Sequence, residues 1–187
     1  MQFKVLGEGE GQRTFIVVLP REEAVVATLE RFVREQALTA ASLSGIGAFS
    51  QATLGFFDLE RQDYHRIEIN EQCEVLSLLG DCALDEQGRP GLHLHVVVGM
   101  RSGEAKGGHL IEATVRPTLE VIIKENASTM MRTYRPELGL ALIDPKNSGG
   151  MRLPQLADTS RYRSGLPPVT ATVAPEVKLD SGSASMT

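Results

Sequence analysis

The stretch Gly91-Leu-His-Leu-His-Val-Val-Val-Gly-Met-Arg-Ser-Gly-Glu-Ala-Lys-Gly-Gly-His-Leu-Ile-Glu-Ala-Thr-Val115 holds three of the four histidines of this 187-residue chain, His93, His95 and His109. Residues two apart on a β-strand point to the same face, so His93 and His95 share one face while the aliphatic residues around them take the other. The run from Gly108 to Val115 is predicted to be the antiparallel partner, because the connection is too short for a parallel crossover. The stretch therefore predicts a β-hairpin.

The register of this hairpin decides whether His109 joins the other two histidines. If the numbers of paired residues add up to an even value, for example with Val97 opposite His109, all three imidazoles lie on one face, and His95 and His109 are diagonal neighbours. An odd value puts His109 on the opposite face. The glycines directly before it, Gly107 and Gly108, allow a close backbone approach or a positive φ, either of which suits a ligand-carrying turn.

Two interpretations of the three histidines stay open at this point. One is a site for a divalent metal or a small ligand, since zinc takes two or three neutral imidazoles plus a carboxylate or water. Glu112 and Glu120 are the candidate auxiliary carboxylates of such a site. The other interpretation is a set of histidines hydrogen-bonded within a sheet or a subunit contact. No nucleophile or general base can be identified, so no catalytic residue is assigned and a binding role is favoured over an enzymatic one.

Composition narrows the class of protein. The formal net charge of −5 is unlike that of a protein held to DNA by many phosphate contacts. Cys73 and Cys82 lie in apolar strand-like runs with no metal-binding spacing, which predicts buried, reduced thiols and a reducing compartment. The N-terminus resembles no signal peptide and no window is long and apolar enough for a membrane span. These features predict a soluble cytoplasmic protein without a membrane partner.

The rest of the chain alternates short apolar runs with turn residues. One amphipathic helix is predicted from Arg21 to Gln36, and the runs 64–69 and 74–82 are predicted to form a second hairpin. Strands are predicted over 12–19, 39–46, 52–59, 64–69, 74–82, 118–123 and 138–143, and a helical turn over 127–132. Strands in runs with one clear helix favour the α+β class with a mainly antiparallel sheet.

The composition changes at Asp144. The segment 144–187 contains five of the nine prolines and many Ser, Gly and Thr residues, which predicts a tail that is mobile or docks on another surface. Its five basic and four acidic residues nearly balance, unlike a basic nucleic-acid-binding arm. We therefore divide the chain into a folded domain over 1–143 and a C-terminal tail over 144–187.

Five blocks follow one another in a fixed order, Ser44–Ala48, Glu74–Gly80, Gly91–Val96, Gly107–Leu110 and Thr118–Ile122. Together they resemble the PPC domain, named for its conservation in plants and prokaryotes. The resemblance covers about residues 10–143 and implies an α+β fold, with an antiparallel sheet of about seven strands and packed helices, that assembles as a homotrimer. The family's histidine-rich strand pair matches His93, His95 and His109, which implies a metal such as zinc.

The resemblance also implies partners. Stand-alone bacterial members are labelled DNA-binding proteins, whereas plant members carry an AT-hook that contacts DNA and use the domain for assembly and partner binding. This chain has Gln87-Gly-Arg-Pro90 where a hook would have Arg-Gly-Arg-Pro. The segment through which the plant domain binds its partners corresponds to residues 71–76 here. Only its second half matches, which includes Glu74 and Leu76. The leading expectation is a homotrimeric DNA-associated regulatory or architectural protein, and the alternatives are a metal- or ligand-binding protein and an oligomerisation and protein-interaction module.

Overall fold

The computed structural model describes residues 1–9 and 12–149. In this part of the chain one helix and nine strands follow one another. They are β1 (Gln2–Gly9), β2 (Gln12–Pro20), α1 (Val25–Glu35), β3 (Ala40–Asp58), β4 (Asp63–Ile69), β5 (Cys73–Leu84), β6 (Pro90–Gly99), β7 (Ala105–Glu125), β8 (Arg132–Arg135) and β9 (Leu140–Ile143). The strands β8 and β9 form a separate two-stranded sheet.

The main sheet has seven antiparallel strands in the order β1-β2-β7-β6-β5-β3-β4, and β3 also pairs with β7. The extra pairing closes β3, β5, β6 and β7 into a ring, with β2 and β4 continuing outward from it. The expected α+β fold with a mainly antiparallel seven-stranded sheet is confirmed. A single helix packs on it in the described residues, where more than one was expected.

The helix α1 covers one side of this ring. Its apolar residues recur every three or four positions, and Val25, Leu29, Phe32 and Val33 are fully buried. Each such side chain contributes about 1.5–3 kcal/mol through burial. Phe32 meets Phe15 of β2 edge to face, with ring centroids 5.3 Å apart. The helix is shorter than predicted, because the chain turns before it.

Two of the predicted strand breaks are absent. The runs 39–46 and 52–59 are parts of the single strand β3, which bends at a bulge between Gly45 and Gly47. Gly47 has a φ of 155°, and a Cβ there would lie 2.3 Å from the Thr118 carbonyl oxygen, so β3 and β7 approach too closely for any side chain. The glycines therefore allow a bent strand, where a tight connection between two strands was expected.

The runs 108–115 and 118–123 likewise belong to one strand, β7, which passes through Pro117. Neither β2 nor β3 pairs with Arg116 or Pro117, so the missing N–H of the proline interrupts no ladder. The peptide bond between these two residues is cis. The length of β7 is what lets one strand contact β2, β3 and β6.

Two further predictions are wrong, and one strand is shorter than predicted. The strands β4 and β5 do not form a hairpin; β4 pairs with β3, and β5 pairs with β3 and β6. The helical turn over 127–132 is an irregular segment that leads into β8, and the strand expected over 138–143 begins at Leu140. The wrong hairpin arises because short apolar runs do not reveal which distant strand they pair with.

The cysteines match the sequence-based prediction. Cys73 and Cys82 are both buried and free, and burial raises the pKa of both thiols, that of Cys82 to about 12. In residues 1–9 and 12–149 no helix is long and apolar enough to cross a membrane. The predicted tail lies outside the described residues from position 150 onward.

Candidate metal centre

The hairpin of β6 and β7 brings the three histidines together. His95 lies directly opposite His109, so the paired numbers add up to an even value, as a shared face requires. Val97, the example given above of an even-numbered partner for His109, pairs with Gly107 instead. Along β6, Leu94, Val96 and Val98 are buried, while His93, His95 and Val97 are exposed. The expected alternation of the two faces is therefore confirmed, with His95 and His109 as direct neighbours.

The three imidazoles are close enough to share one ion. One nitrogen from each ring lies within 4.8 Å of the other two, and the Nε2 atoms of His93 and His95 are 3.2 Å apart. The ring centroids are 4.9 to 5.5 Å from one another. Two nitrogens bound tetrahedrally to zinc at 2.0–2.1 Å are separated by about 3.3 Å, which agrees with the distance between His93 and His95.

The electrostatics keep two of the rings neutral. Burial, helped by the neighbouring histidines, lowers the pKa of His109 to about 4. Burial, followed by His95 and Arg132, also lowers the pKa of His93. Metals bind the neutral imidazole, so both rings are in the ligating form at neutral pH. The buried Nδ1 atom of His109 has no hydrogen-bond partner among the described residues.

Two residues of neighbouring strands support the ring of His109. Tyr64 of β4 stacks on this imidazole, with ring centroids 4.9 Å apart and an angle of 24° between the planes. Gly55 of β3 lies opposite His109, and a Cβ at this glycine would come within 2.6 Å of Tyr64 Cδ1. The absence of a side chain at position 55 therefore gives the tyrosine its place against the imidazole.

Sequence reasoning missed Tyr64 and Gly55. Both belong to the hairpin of β3 and β4, whose strands are joined by the four residues 59–62. A polar connection of this length is typical of a hairpin, and it is the signal that could have placed Tyr64 beside β3. The predicted pairing of 64–69 with 74–82 directed this strand to the wrong neighbour.

An ion pair lies on the other side of the cluster. Asp81 of β5 is the cross-strand partner of His93. Arg132 of β8 donates a hydrogen bond to Asp81 Oδ1, and another, at 3.2 Å, to the carbonyl oxygen of Gly91. The arginine is largely buried. This pair ties the small sheet to the edge of the histidine cluster and holds a carboxylate beside His93.

The two expected auxiliary carboxylates lie elsewhere. The group of potential metal ligands found in the described residues consists of the three histidines alone. Glu112 Oε1 accepts a 3.4 Å hydrogen bond from Thr53 Oγ1, in a row that continues to β4. Glu120 lies opposite Ile46 in the far half of β7. The structure therefore brings neither carboxylate into the cluster.

The four remaining candidate residues lie within strands β5 and β7. A Cβ at Gly108 would lie 2.7 Å from the carbonyl oxygen of Gly55, and one at Gly107 3.1 Å from that of Val96. These glycines allow the close approach that was expected, but toward neighbouring strands and from within β7. Glu74 and Leu76 are exposed on β5.

Solved structures similar to this chain come from several prokaryotes. A candidate DNA-binding protein of Bacteroides thetaiotaomicron is 30% identical, with a TM-score of 0.69 over 76% of this chain and 96% of that one. A metal-containing protein of Archaeoglobus fulgidus is 32% identical, with a TM-score of 0.65 over the same shares. A candidate DNA-binding protein of Ralstonia eutropha is 28% identical, with a TM-score of 0.65 over 70% of this chain and 90% of that one.

Comparison of the sequence gives two further matches. A stretch of 100 residues, 52% of this chain, is 35% identical to part of the bifunctional protein GlmU of Synechococcus sp.. This chain spans only 14% of the length of that curated relative. The family model of the Plants and Prokaryotes Conserved (PCC) domain matches residues 6–127, about the extent of the seven-stranded sheet. The chain therefore belongs to the Plants and Prokaryotes Conserved domain family.

Proposed function

We propose that this protein binds a divalent transition-metal ion, zinc in the first place, through His93, His95 and His109. The observation that carries the proposal is the convergence of three imidazole nitrogens within 4.8 Å on one face of the sheet. When bound, such an ion acts as a Lewis acid and lowers the pKa of a coordinated water molecule. The 32% identical protein of Archaeoglobus fulgidus is described as containing a metal, which supports the proposal.

The donor set indicates what kind of site it is. Structural zinc sites are closed by four protein ligands, whereas sites with three protein ligands keep a position for water or a ligand. The cluster supplies three imidazoles and no carboxylate, and two of its members, His93 and His95, are exposed. We therefore expect an ion with one coordination position open to small molecules.

Metal analysis tests this proposal directly. Protein produced without a histidine tag is stripped with a chelator, and its uptake of zinc is measured by calorimetry for the wild type, His93→Ala and His65→Ala. His65 lies on β4 outside the cluster and is the matched control. We expect one ion per chain in the wild type and in His65→Ala, and a large loss of affinity in His93→Ala. Equal affinity in all three proteins would refute the proposed site.

Association with DNA is the second candidate. The observation that favours it is that two of the similar solved structures are described as candidate DNA-binding proteins. A net charge of −5 counts against a large phosphate-binding surface, which is why we place metal binding first. A mobility-shift assay at about 50 mM and 200 mM salt is the test, because phosphate-driven binding weakens steeply with salt. No shift at the lower salt concentration rules out this function for the isolated protein.

We further propose that the chain assembles as a homotrimer through an apolar patch on the outer face of the sheet. Ile46, Leu76 and Leu79 are 61%, 56% and 58% exposed and line one shallow depression of about 360 Å³. Adjacent aliphatic side chains exposed to this degree are typical of interaction sites. Light scattering tests the assembly: a trimer is expected for the wild type and a smaller species for Leu79→Glu. Leu59→Glu, in the turn after β3, is the control that should stay trimeric.

A further inference from the structure

A groove of about 560 Å³ opens beside His109. It exists because β6 and β7 diverge: their pairing stops at His95 and His109, and Leu92 and Leu94 of β6 pair only with β5. Leu110 of β7 turns instead to β3. The gap between the two strands is lined by these aliphatic side chains and by Val26 of α1. The groove is therefore apolar at its base and meets the histidine cluster at one end.

Three charged side chains also line the groove, Glu30, Asp63 and Arg66. Glu30 forms an ion pair with Arg34 at 3.5 Å, and Asp63 Oδ1 accepts a 2.7 Å hydrogen bond from the backbone N–H of Tyr64. Both carboxylates thus have partners. Within residues 1–9 and 12–149, Arg66 forms no ion pair, and its side chain is exposed. Among the described residues that line the groove, Arg66 is therefore the one cationic side chain, and it is free to receive an anion.

Arg66 lies in the same cross-strand row as the cluster. It is opposite Gly55, which is opposite His109, which in turn is opposite His95. Directly opposed residues point to the same face, and two strand spacings separate the Cα atoms of Arg66 and His109 by about 10 Å. Position 55 carries no side chain, and the ring of Tyr64 takes this space, stacked on His109. Arg66, Tyr64 and His109 all line the groove, so a small molecule that lies along the tyrosine ring can meet Arg66 on one side and the histidine cluster on the other.

We propose that this groove binds a small organic monocarboxylate with an apolar body. This inference rests on the proposed metal site. The carboxylate accepts the fork of Arg66, which matches its planar geometry, and takes the open position on the ion held by the histidines. The aliphatic side chains of β6 and β7 receive the body of the ligand. Glu30 and Asp63 disfavour a second negative charge. The volume lies within the range of about 300–1,000 Å³ that small-molecule sites occupy.

Cobalt loading makes the proposal measurable. Full-length protein is loaded with Co²⁺, whose visible absorption reports its ligands, and is titrated with benzoate as the probe carboxylate. We expect a saturable spectral change, and a loss of benzoate affinity of about tenfold or more in Arg66→Gln, as for removal of a charged hydrogen bond. Arg101→Gln, an exposed arginine in the connection between β6 and β7, should bind benzoate like the wild type. An unchanged cobalt spectrum of Arg66→Gln without benzoate shows that its metal site is intact.

The two proposals fail in different ways. If the chain takes up no cobalt, the metal site is refuted and this ligand site with it. Cobalt uptake without a response to benzoate refutes only the ligand site. Equal benzoate affinity in Arg66→Gln and wild type, or equally tight binding of uncharged benzyl alcohol, also overturns it. Tighter binding of inorganic phosphate than of benzoate would replace the monocarboxylate with a general anion.

Discussion

Acidifying the metal-free protein should lower its unfolding free energy, because the folded state resists protonation of His109. The pKa of this imidazole is lowered from 6.5 to about 4, first of all by burial. As the pH falls below 6.5, the unfolded chain takes up a proton at this position while the folded protein does not. The unfolded state therefore gains free energy relative to the folded state. The contribution of His109 to stability is complete above pH 6.5 and is lost as the pH falls toward 4.

The size of this effect follows from the two pKa values. A tenfold difference in proton affinity corresponds to about 1.4 kcal/mol, so the interval between 6.5 and about 4 corresponds to at most about 3 kcal/mol of unfolding free energy. Folded domains have about 5–15 kcal/mol in total. The loss is therefore large enough to measure by denaturant titration.

The assay is urea unfolding of chelator-treated protein between pH 7 and pH 4, with His109→Gln beside the wild type. Protonation of carboxylates with lowered pKa values, such as Asp144, destabilises both proteins over the lower part of this range. Only the difference between the two proteins therefore reports on position 109. We expect the wild type to lose up to about 3 kcal/mol more than the variant. If both proteins show the same pH dependence, His109 is protonated as easily in the folded protein as in the unfolded chain, and the proposed neutrality of the site is wrong.

Three substitutions test the surroundings of the cluster. Gly55→Ala should lower the unfolding free energy by about 1–3 kcal/mol, because its Cβ collides with Tyr64. Gly91→Ala is the control and should leave the unfolding free energy unchanged, since no atom lies within 4 Å of the added carbon. The midpoints of urea unfolding measure both effects. Tyr64→Ala should weaken zinc binding between about 2-fold and 10-fold through lost stacking, while Tyr64→Phe should bind like the wild type in calorimetry. Asp81→Asn leaves a largely buried arginine unpaired and should lower the unfolding free energy by about 1–3 kcal/mol. Asp85→Asn, whose arginine partner is exposed, should lower it by less than about 1 kcal/mol. A smaller loss for Asp81→Asn than for Asp85→Asn would contradict the proposed tie between the two sheets.

The histidine hairpin is predictable because its information is local. Alternation of Leu and His residues along β6 assigns one face to the core, and a slip by one residue would bury the imidazoles and expose the leucines. The same constraint acts on β7, where Leu110 is buried beside His109. The sequence therefore leaves one question about the register, whether the numbers of paired residues add up to an even or an odd value. The observed pairing of His95 with His109 gives an even value. The exact partner depends on the length of the turn, which alternation does not determine.

The groove and its arginine are not predictable in the same way. Arg66 shares a cross-strand row with His109 only through β3. This arrangement depends on β3 continuing unbroken past Gly47 and on β7 continuing past Pro117. Glycine and proline are the usual signals of a strand end. Here the close approach of two backbones requires the glycine, and a gap in the ladder accommodates the proline. Local rules thus divide both long strands and separate the residues that these strands bring together.

The hydrogen bonding of the cluster bears on the choice between a ligand site and a purely structural one. Histidines that only support a sheet are expected to have partners for their ring nitrogens, since an unpaired buried polar atom costs about 1–3 kcal/mol. In the described residues the Nε2 atoms of His93 and His95 lie within hydrogen-bond distance of each other, whereas the buried Nδ1 of His109 has no partner. A structural role leaves this cost without compensation. A bound cation favours the same neutral rings, which is why the arrangement supports metal binding.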